Sequence, residues 1–332
     1  MDRAFEHQEL PRAMANIRRL ASLTTVFPDP DQMIWVGHKL TLSRELMRIA
    51  KEHTHTPFPT ILEIHDALNF ASLQRTNLYI KREFSEASDH AVRVKPNDIE
   101  FLQTYANMVE DSNEIYKHET MEELGIKVRW FGMSYIDELQ TLGELRTFFV
   151  GGQLSHTVLT EAKGAGCMED TPVTHLTPLK LIESVFGMQF YSKSNSDTRI
   201  LYARRTTNDP NFTLANPMAT REELEIAEHE FKYFAITTFQ KLVDAQEQQF
   251  GTGNSMLRVL CRLDISVIRD QSGRLSYFVN EVSKSLRTVL FLSSALNAQS
   301  SAMDIAIALR TLVAVRRSIK ATWGTVTPSL AL

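Results

Sequence analysis

Cys261-Arg262-Leu263-Asp264-Ile265 and Tyr277-Phe278-Val279-Asn280-Glu281-Val282-Ser283 stand a short turn apart in this chain of 332 residues. Leu257 to Ile268 and Leu275 to Val282 alternate apolar and polar residues around Ser272-Gly273, which predicts a pair of strands. A period of two puts Arg262 and Asp264 on one face of the first strand, and Glu281 and Ser283 on one face of the second. Where those faces coincide, two carboxylates and a hydroxyl converge beside a guanidinium. Oxygen ligands of that kind suit Mg²⁺ bridged to phosphates, with arginine steadying transferred charge. The same pattern also serves as a cross-strand ion pair on a solvated sheet face.

Upstream, Leu145 to Val150 and Gln153 to Thr160 read as strands joined by Gly151-Gly152, a tight hairpin signal. Before them a strand from Lys127 to Tyr135 runs into Ile136-Asp137-Glu138. A buried strand, a short connector and an acid can bind adenine through backbone and ribose hydroxyls through the carboxylate; alone, the segment is an ordinary hairpin. Further upstream, Leu78-Tyr79-Ile80-Lys81-Arg82-Glu83-Phe84 belongs to a strand, Asn77 to Glu83, that delivers Lys81; a second strand returns at His90 to Lys95. An ammonium at a strand end beside exposed backbone N–H groups suits a polyphosphate. The structural alternative is a surface lysine on an edge strand.

The remaining elements surround these three. Residues 1–31 read as a helix followed by the linker Phe27-Pro28-Asp29-Pro30-Asp31. Gln32 to Val36 reads as a short buried strand, and Thr41 to Glu52 as a helix stopped by Pro57 and Pro59. Asn97 to Leu124 is a polar segment with weak helical period, closed by Gly125. Residues 161–178 form a long loop. Thr220 and Glu223 make a capping box for a helix whose apolar face runs through Leu224, Ala227, Phe231, Phe234, Thr238 and Leu242. A closing helix, Ser301 to Ala321, is basic on one side through Arg310, Arg316, Arg317 and Lys320. The order predicts an α+β protein with mixed or antiparallel sheets.

Composition narrows the classes. Apolar residues make up 43% and charged residues 23%, which excludes wholesale disorder and fibres. With 36 Lys plus Arg against 40 Asp plus Glu there is no basic excess, so nucleic acid is not the expected partner. Cys167 and Cys261 are the only cysteines, which points to a reducing compartment, the cytoplasm. Asp2, Arg3, Glu6 and Glu9 leave no secretory core near the start, and Met303 to Val315 is too short and too charged to span a bilayer. No Ser-His-Asp order, P-loop or zinc-like histidine spacing emerges, and neither cysteine has a base beside it.

Taken in order, Gly37-His38-Lys39-Leu40, Tyr79-Ile80-Lys81, Gly143-Glu144-Leu145-Arg146 through Gly152, Arg262-Leu263-Asp264 and Asn280-Glu281-Val282 resemble the ATP-grasp superfamily over about residues 20 to 292. Its usual members are ATP-dependent carboxylate–amine or carboxylate–thiol ligases. The resemblance implies two α+β subdomains sandwiching a nucleotide cleft, with a much reduced N-terminal domain. The implied divisions are a helix and linker at 1–31, central and lid subdomains at 32–135, a catalytic subdomain at 136–292 and a C-terminal helix at 293–332. It implies phosphate contacts for Lys39, at a helix start after a short strand, and for Lys81. Tyr135, Ile136 and Glu138 would line the nucleotide, and Glu144 would be the ribose acid. Asp264, Glu281 and Ser283 would hold Mg²⁺, and Arg262 and Arg146 would be catalytic.

Two departures accompany the likeness. The loop Phe84 to His90 has no glycine, and Ser283 stands where the family often has asparagine. The implied reaction joins a carboxylate to an amine through an acylphosphate, releasing ADP and phosphate. Small-molecule acids and amines would be the partners, with Arg199, Arg204 and Arg205 or the 161–178 loop clamping a substrate carboxylate. A homodimer or a partner subunit would supply the front domain. The alternative is a nucleotide-binding or partner subunit without turnover.

Overall fold

The computed structural model describes residues 10–24, 26–64, 77–83, 91–95, 129–136, 139, 144–161, 173–175, 221–269, 275–283 and 298–323. Two compact units divide the chain, Met1–Asp137 and Glu138–Leu332. Each combines helices with antiparallel sheet, so the protein is α+β.

In the first unit, α1 (Leu10–Leu23) is followed by α2 (Pro30–Gly37). The strand expected at Gln32 to Val36 is therefore a helix. Its start explains the difference: the Asp29 side chain accepts from the N–H groups of Asp31 and Gln32, and Pro30 occupies the first turn. The apolar run Met33-Ile34-Trp35-Val36 fits either period, and the cap decides between them. α3 (Lys39–Ile49) continues into a π turn, Ala50–Thr54, ended by His55 at φ 53°. Lys39 opens a helix as expected, but after another helix instead of a strand.

Four antiparallel strands complete the unit: β1 (Ile61–Ile64), β2 (Leu78–Arg82), β3 (Ala91–Val94) and β4 (Trp130–Ser134), in the order β1-β4-β2-β3. The expected β2–β3 pair is present, with Lys81 opposite Ala91. β2 is an interior strand of this sheet, so Lys81 is not on an edge. It stands opposite Phe131 and shares its face, as Tyr79 shares that of Met133. Leu40 of α3 packs on Phe131 and Met133, with Phe58 and Ile61 around them. The helix that begins at Lys39 thus lies on the sheet face that carries Lys81. Residues 84–90, 97–125 and 127–128 lie outside the described residues.

Glu83 makes this arrangement specific. Its side chain is fully buried, and Oε1 accepts from the Leu40 N–H at 3.2 Å. Arg129 donates to both carboxylate oxygens at 3.0 and 3.1 Å and to Thr41 Oγ1 at 3.0 Å. A carboxylate thereby occupies the positive end of α3 and pins it to β2 and to the start of β4. Burial pushes the Glu83 carboxyl up, but contacts with His38 and Arg129 outweigh it and hold the group below its ordinary value of 4.5.

The second unit contains β5 (Glu144–Val150), β6 (Gln153–Glu161), β7 (Val173–His175), α4 (Arg221–Phe250), β8 (Leu260–Arg269), β9 (Leu275–Ser283) and α5 (Ala298–Trp323). The sheet order is β7-β6-β5-β8-β9, all antiparallel. Gly151 and Gly152, at φ 60° and 79°, turn β5 into β6, a conformation glycine adopts without strain. Val173–His175 is a strand inside the expected long loop, paired antiparallel with Leu159–Glu161 of β6. Leu257, expected in β8, belongs to a 3₁₀ turn, Met256–Arg258, whose Leu257 N–H is accepted by Ser255 Oγ. Thr220 and Ser272-Gly273 lie outside the described residues.

Helices cover parts of both faces of this sheet. On one, Phe149 stacks on Phe239 of α4 with centroids 4.1 Å apart, and Phe231 and Phe234 flank Tyr277 at 5.5 and 5.6 Å. Cys261 shares that face as the partner of Phe149, and burial pushes its thiol far up, which removes it as a nucleophile. On the other face, Leu312 of α5 packs on Phe148, Val150 and Leu260. Arg316, expected on a basic surface stripe, is buried and donates to Asn254 Oδ1 at 2.7 Å; Arg310 and Arg317 remain exposed.

Glu83→Gln should cost about 3 kcal/mol at pH 7, the usual loss when one member of a buried charge pair is removed. A depressed carboxyl stabilises above its unfolded value and loses that contribution as pH falls through its folded value. Urea midpoints of the two proteins should therefore stay apart from pH 7 to 5 and converge below about 4.5. Midpoints that coincide at pH 7 would remove the clamp.

Candidate functional site

On the face of the second sheet that α5 covers at one end, the other end is polar. Register brings it together: Arg146 on β5 opposes Asp264 on β8, which opposes Glu281 on β9. Glu144 opposes Ser266, and Arg262 opposes Ser283. Directly opposed residues share a face with Cα atoms about 4.5–5.5 Å apart. The faces of the two strands read from alternation therefore coincide, and Arg146 and Glu144 join them from a third strand.

Arg262 and Asp264 form a same-strand pair, with Nε to Oδ1 at 2.6 Å and Nη2 to Oδ2 at 2.7 Å. Both are buried, at 8% and 2% exposure. Glu144 Oε2 stands 3.7 Å from Arg146 Nε, and Glu144 Oε1 accepts from Asn280 Nδ2 at 3.1 Å. Among the described residues, two guanidiniums and three carboxylates thus share this face. Burial, followed by the charge of Asp264, pushes the Glu144 carboxyl up to about 7. Burial also raises Asp264, with Glu281 adding to it and Arg262 opposing it. The carboxylates and the Ser283 hydroxyl are hard oxygen donors, so the chemistry of the set fits a divalent cation such as Mg²⁺. Among the described residues no three His, Cys, Asp or Glu side chains are grouped closely enough to hold a metal by themselves.

The other expected residues lie in the first unit, apart from Glu138, which is outside the described residues. Lys81 Nζ sits over the Tyr79 ring at 5.6 Å. Arg93 stacks on the Tyr135 ring at 3.7 Å, and the two tyrosines are 6.4 Å apart. The Tyr135 N–H donates to Asn77 O at 2.9 Å. Through the Glu83–Leu40 bond, the segments bearing Lys39 and Lys81 are held to each other. Sequence reasoning gave no role to Glu83, Arg129, Arg93 or the Asn280–Glu144 bond; their partners lie 16 to 136 residues away, where no local spacing signals them. Cys167, Arg199, Arg204 and Arg205 are outside the described residues, and no described helix is long and apolar enough to cross a membrane.

No protein-family model and no curated protein matches the chain. Among solved structures it is similar to the D-cycloserine synthetase DcsG, at 14% identity and a TM-score of 0.49, over 92% of this chain and 80% of that one. An L-amino acid ligase from Bacillus licheniformis is similar at 14% identity and a TM-score of 0.40, over 82% of this chain and 48% of that one. The ATP-grasp ligase PsnB, complexed with a phosphomimetic variant of its minimal precursor, Mg and ADP, is similar at 11% identity and a TM-score of 0.39, over 89% and 66%.

The pairing of Arg262 with Asp264 separates two tests that look equivalent from sequence. Asp264→Ala strands a buried guanidinium and should cost about 3–5 kcal/mol in urea unfolding. Glu281→Ala, at a partly exposed position, should cost less than about 1 kcal/mol. Equal losses for both would show that the Arg262–Asp264 pair is not the stabilising contact.

Proposed function

We propose that the chain is an ATP-dependent ligase of the ATP-grasp type, joining a carboxylate to an amine of an amino acid or peptide through an acylphosphate and releasing ADP and phosphate. The observation that carries this reading is the in-register delivery of Arg146, Asp264 and Glu281 from three adjacent strands onto one sheet face. Asp264, Glu281 and Ser283 are the residues that would hold Mg²⁺, which when bound withdraws charge from a transferring phosphoryl group. Both Asp264 oxygens are engaged by Arg262, so a cation at Asp264 competes with that guanidinium for one of them.

Lys39 and Lys81 would neutralise the triphosphate as two ammonium groups whose backbone segments Glu83 already ties together. Ile136 and the Tyr135 carbonyl would meet the adenine with Glu138 nearby, and Glu144 the ribose. Arg262 and Arg146 would stabilise the charge that grows on the phosphoryl oxygens and then on the tetrahedral oxyanion. Catalysis on this scheme is positioning and charge neutralisation, with no protein nucleophile, consistent with the inert setting of Cys261. The two-cysteine composition supports a cytoplasmic setting.

ADP formation from Mg-ATP, measured across panels of carboxylic acids and amino acids, tests the reaction. Wild type should form ADP with at least one pair, and Glu281→Ala should abolish it while keeping its fold. Unchanged ADP release in Glu281→Ala would remove the metal site; ATP binding without turnover on any pair would favour a nucleotide-binding subunit. Lys81→Ala should weaken ATP binding by on the order of 2 kcal/mol, the loss of one charged hydrogen-bond donor to phosphate. Calorimetry indifferent to that change would return Lys81 to a structural role on β2.

A further inference from the structure

β9 departs from plain alternation at one point. Asp264 pairs with Glu281 but Ile265 pairs with Val279, which leaves Asn280 as the extra residue of a β-bulge. A bulge re-aims side chains, so that neighbours in sequence can serve one face. Asn280 does so: it reaches across β8 and donates Nδ2 to Glu144 Oε1 on β5 at 3.1 Å. The next residue, Glu281, opposes Asp264 on that face. Arg146 Nε, at 3.7 Å from Oε2, is too distant to fix the Glu144 carboxylate by a hydrogen bond. The direction of that carboxylate therefore falls to Asn280.

We infer that Asn280 is a positioning residue for nucleotide recognition, holding Glu144 so that its second oxygen accepts from the ribose hydroxyls. This rests on the nucleotide reading above and deepens it. An amide donor suits the task, because it satisfies one carboxylate oxygen and leaves the other as an acceptor for hydroxyl donors. The bulge also couples the two acid functions of the face: one inserted residue holds the ribose acid, and its neighbour presents a metal acid.

Calorimetry with ATP and with 2′,3′-dideoxy-ATP tests this on wild type, Asn280→Ala, Asn280→Leu, Glu144→Gln and the Asn280→Ala/Glu144→Gln double variant. Asn280→Ala should weaken ATP about five- to tenfold, the usual worth of one hydrogen bond, and the dideoxy nucleotide by less than about twofold. Asn280→Leu keeps the shape without the donor and should behave likewise, which covers the case in which the alanine variant does not fold. In the Glu144→Gln background the change at Asn280 should add nothing, a coupling that a purely structural asparagine would not show. Equal losses for both nucleotides, additive in both backgrounds, overturn the inference and leave nucleotide binding standing. A wild type that binds neither nucleotide overturns the nucleotide reading, and this inference with it.

Discussion

Placing three carboxylates and two guanidiniums on one sheet face removes much of their water, and that cost has to be met by the groups themselves. Arg262 closes on both oxygens of Asp264, Arg146 stands beside Glu144, and Glu281 faces Asp264 from the neighbouring strand. Burial is the first cause that raises the carboxyls of Glu144 and Asp264, and neighbouring acids add to it. A protein selected for stability alone would do better with apolar residues at these positions. The opposite face shows what that looks like: Phe149, Cys261, Leu263 and Val279 lie behind the polar end, with Phe149 stacked on α4. The polar face is thus a local departure on an otherwise well-packed sheet, the kind of place where function is expected.

The first unit solves a related problem in a different way. Its buried carboxylate, Glu83, is matched by Arg129, by His38 and by the backbone at the start of α3, and its carboxyl is held below the ordinary range. Glu83 is therefore structural glue, whereas burial raises the carboxyl of Glu144. The contrast is informative because each acid meets an arginine of its own unit, Glu83 with Arg129 and Glu144 with Arg146. Glu83 already occupies the anion-attracting end of α3, so a phosphate recruited by Lys39 would meet the lysine side chain and not a bare helix terminus.

Much of this was legible in the chain. Alternation located β8 and β9 and the shared faces of Arg262 with Asp264 and of Glu281 with Ser283, because a half-polar strand writes its faces directly into sequence. Alternation carries no register, so it could not show that Arg146 opposes Asp264 or that β2 is interior to its sheet. A single inserted residue hides within a pattern of period two, which is why the role of Asn280 emerges only from pairing. α2 differs from the strand its residues suggest because four apolar residues in a row satisfy both periods, although Asp29-Pro30 marks a helix start. Arg316 followed a surface-like spacing yet turned inward to Asn254, a partner 62 residues away.

A crystal structure of the protein with Mg²⁺ and a non-hydrolysable ATP analogue addresses the whole scheme at once. The expected result is a magnesium ion about 2.0–2.1 Å from oxygens of Asp264 and Glu281, with the phosphates reached by Lys39 and Lys81. A nucleotide seated away from the Glu144–Asp264–Glu281 face, or a metal with neither acid among its ligands, would contradict it.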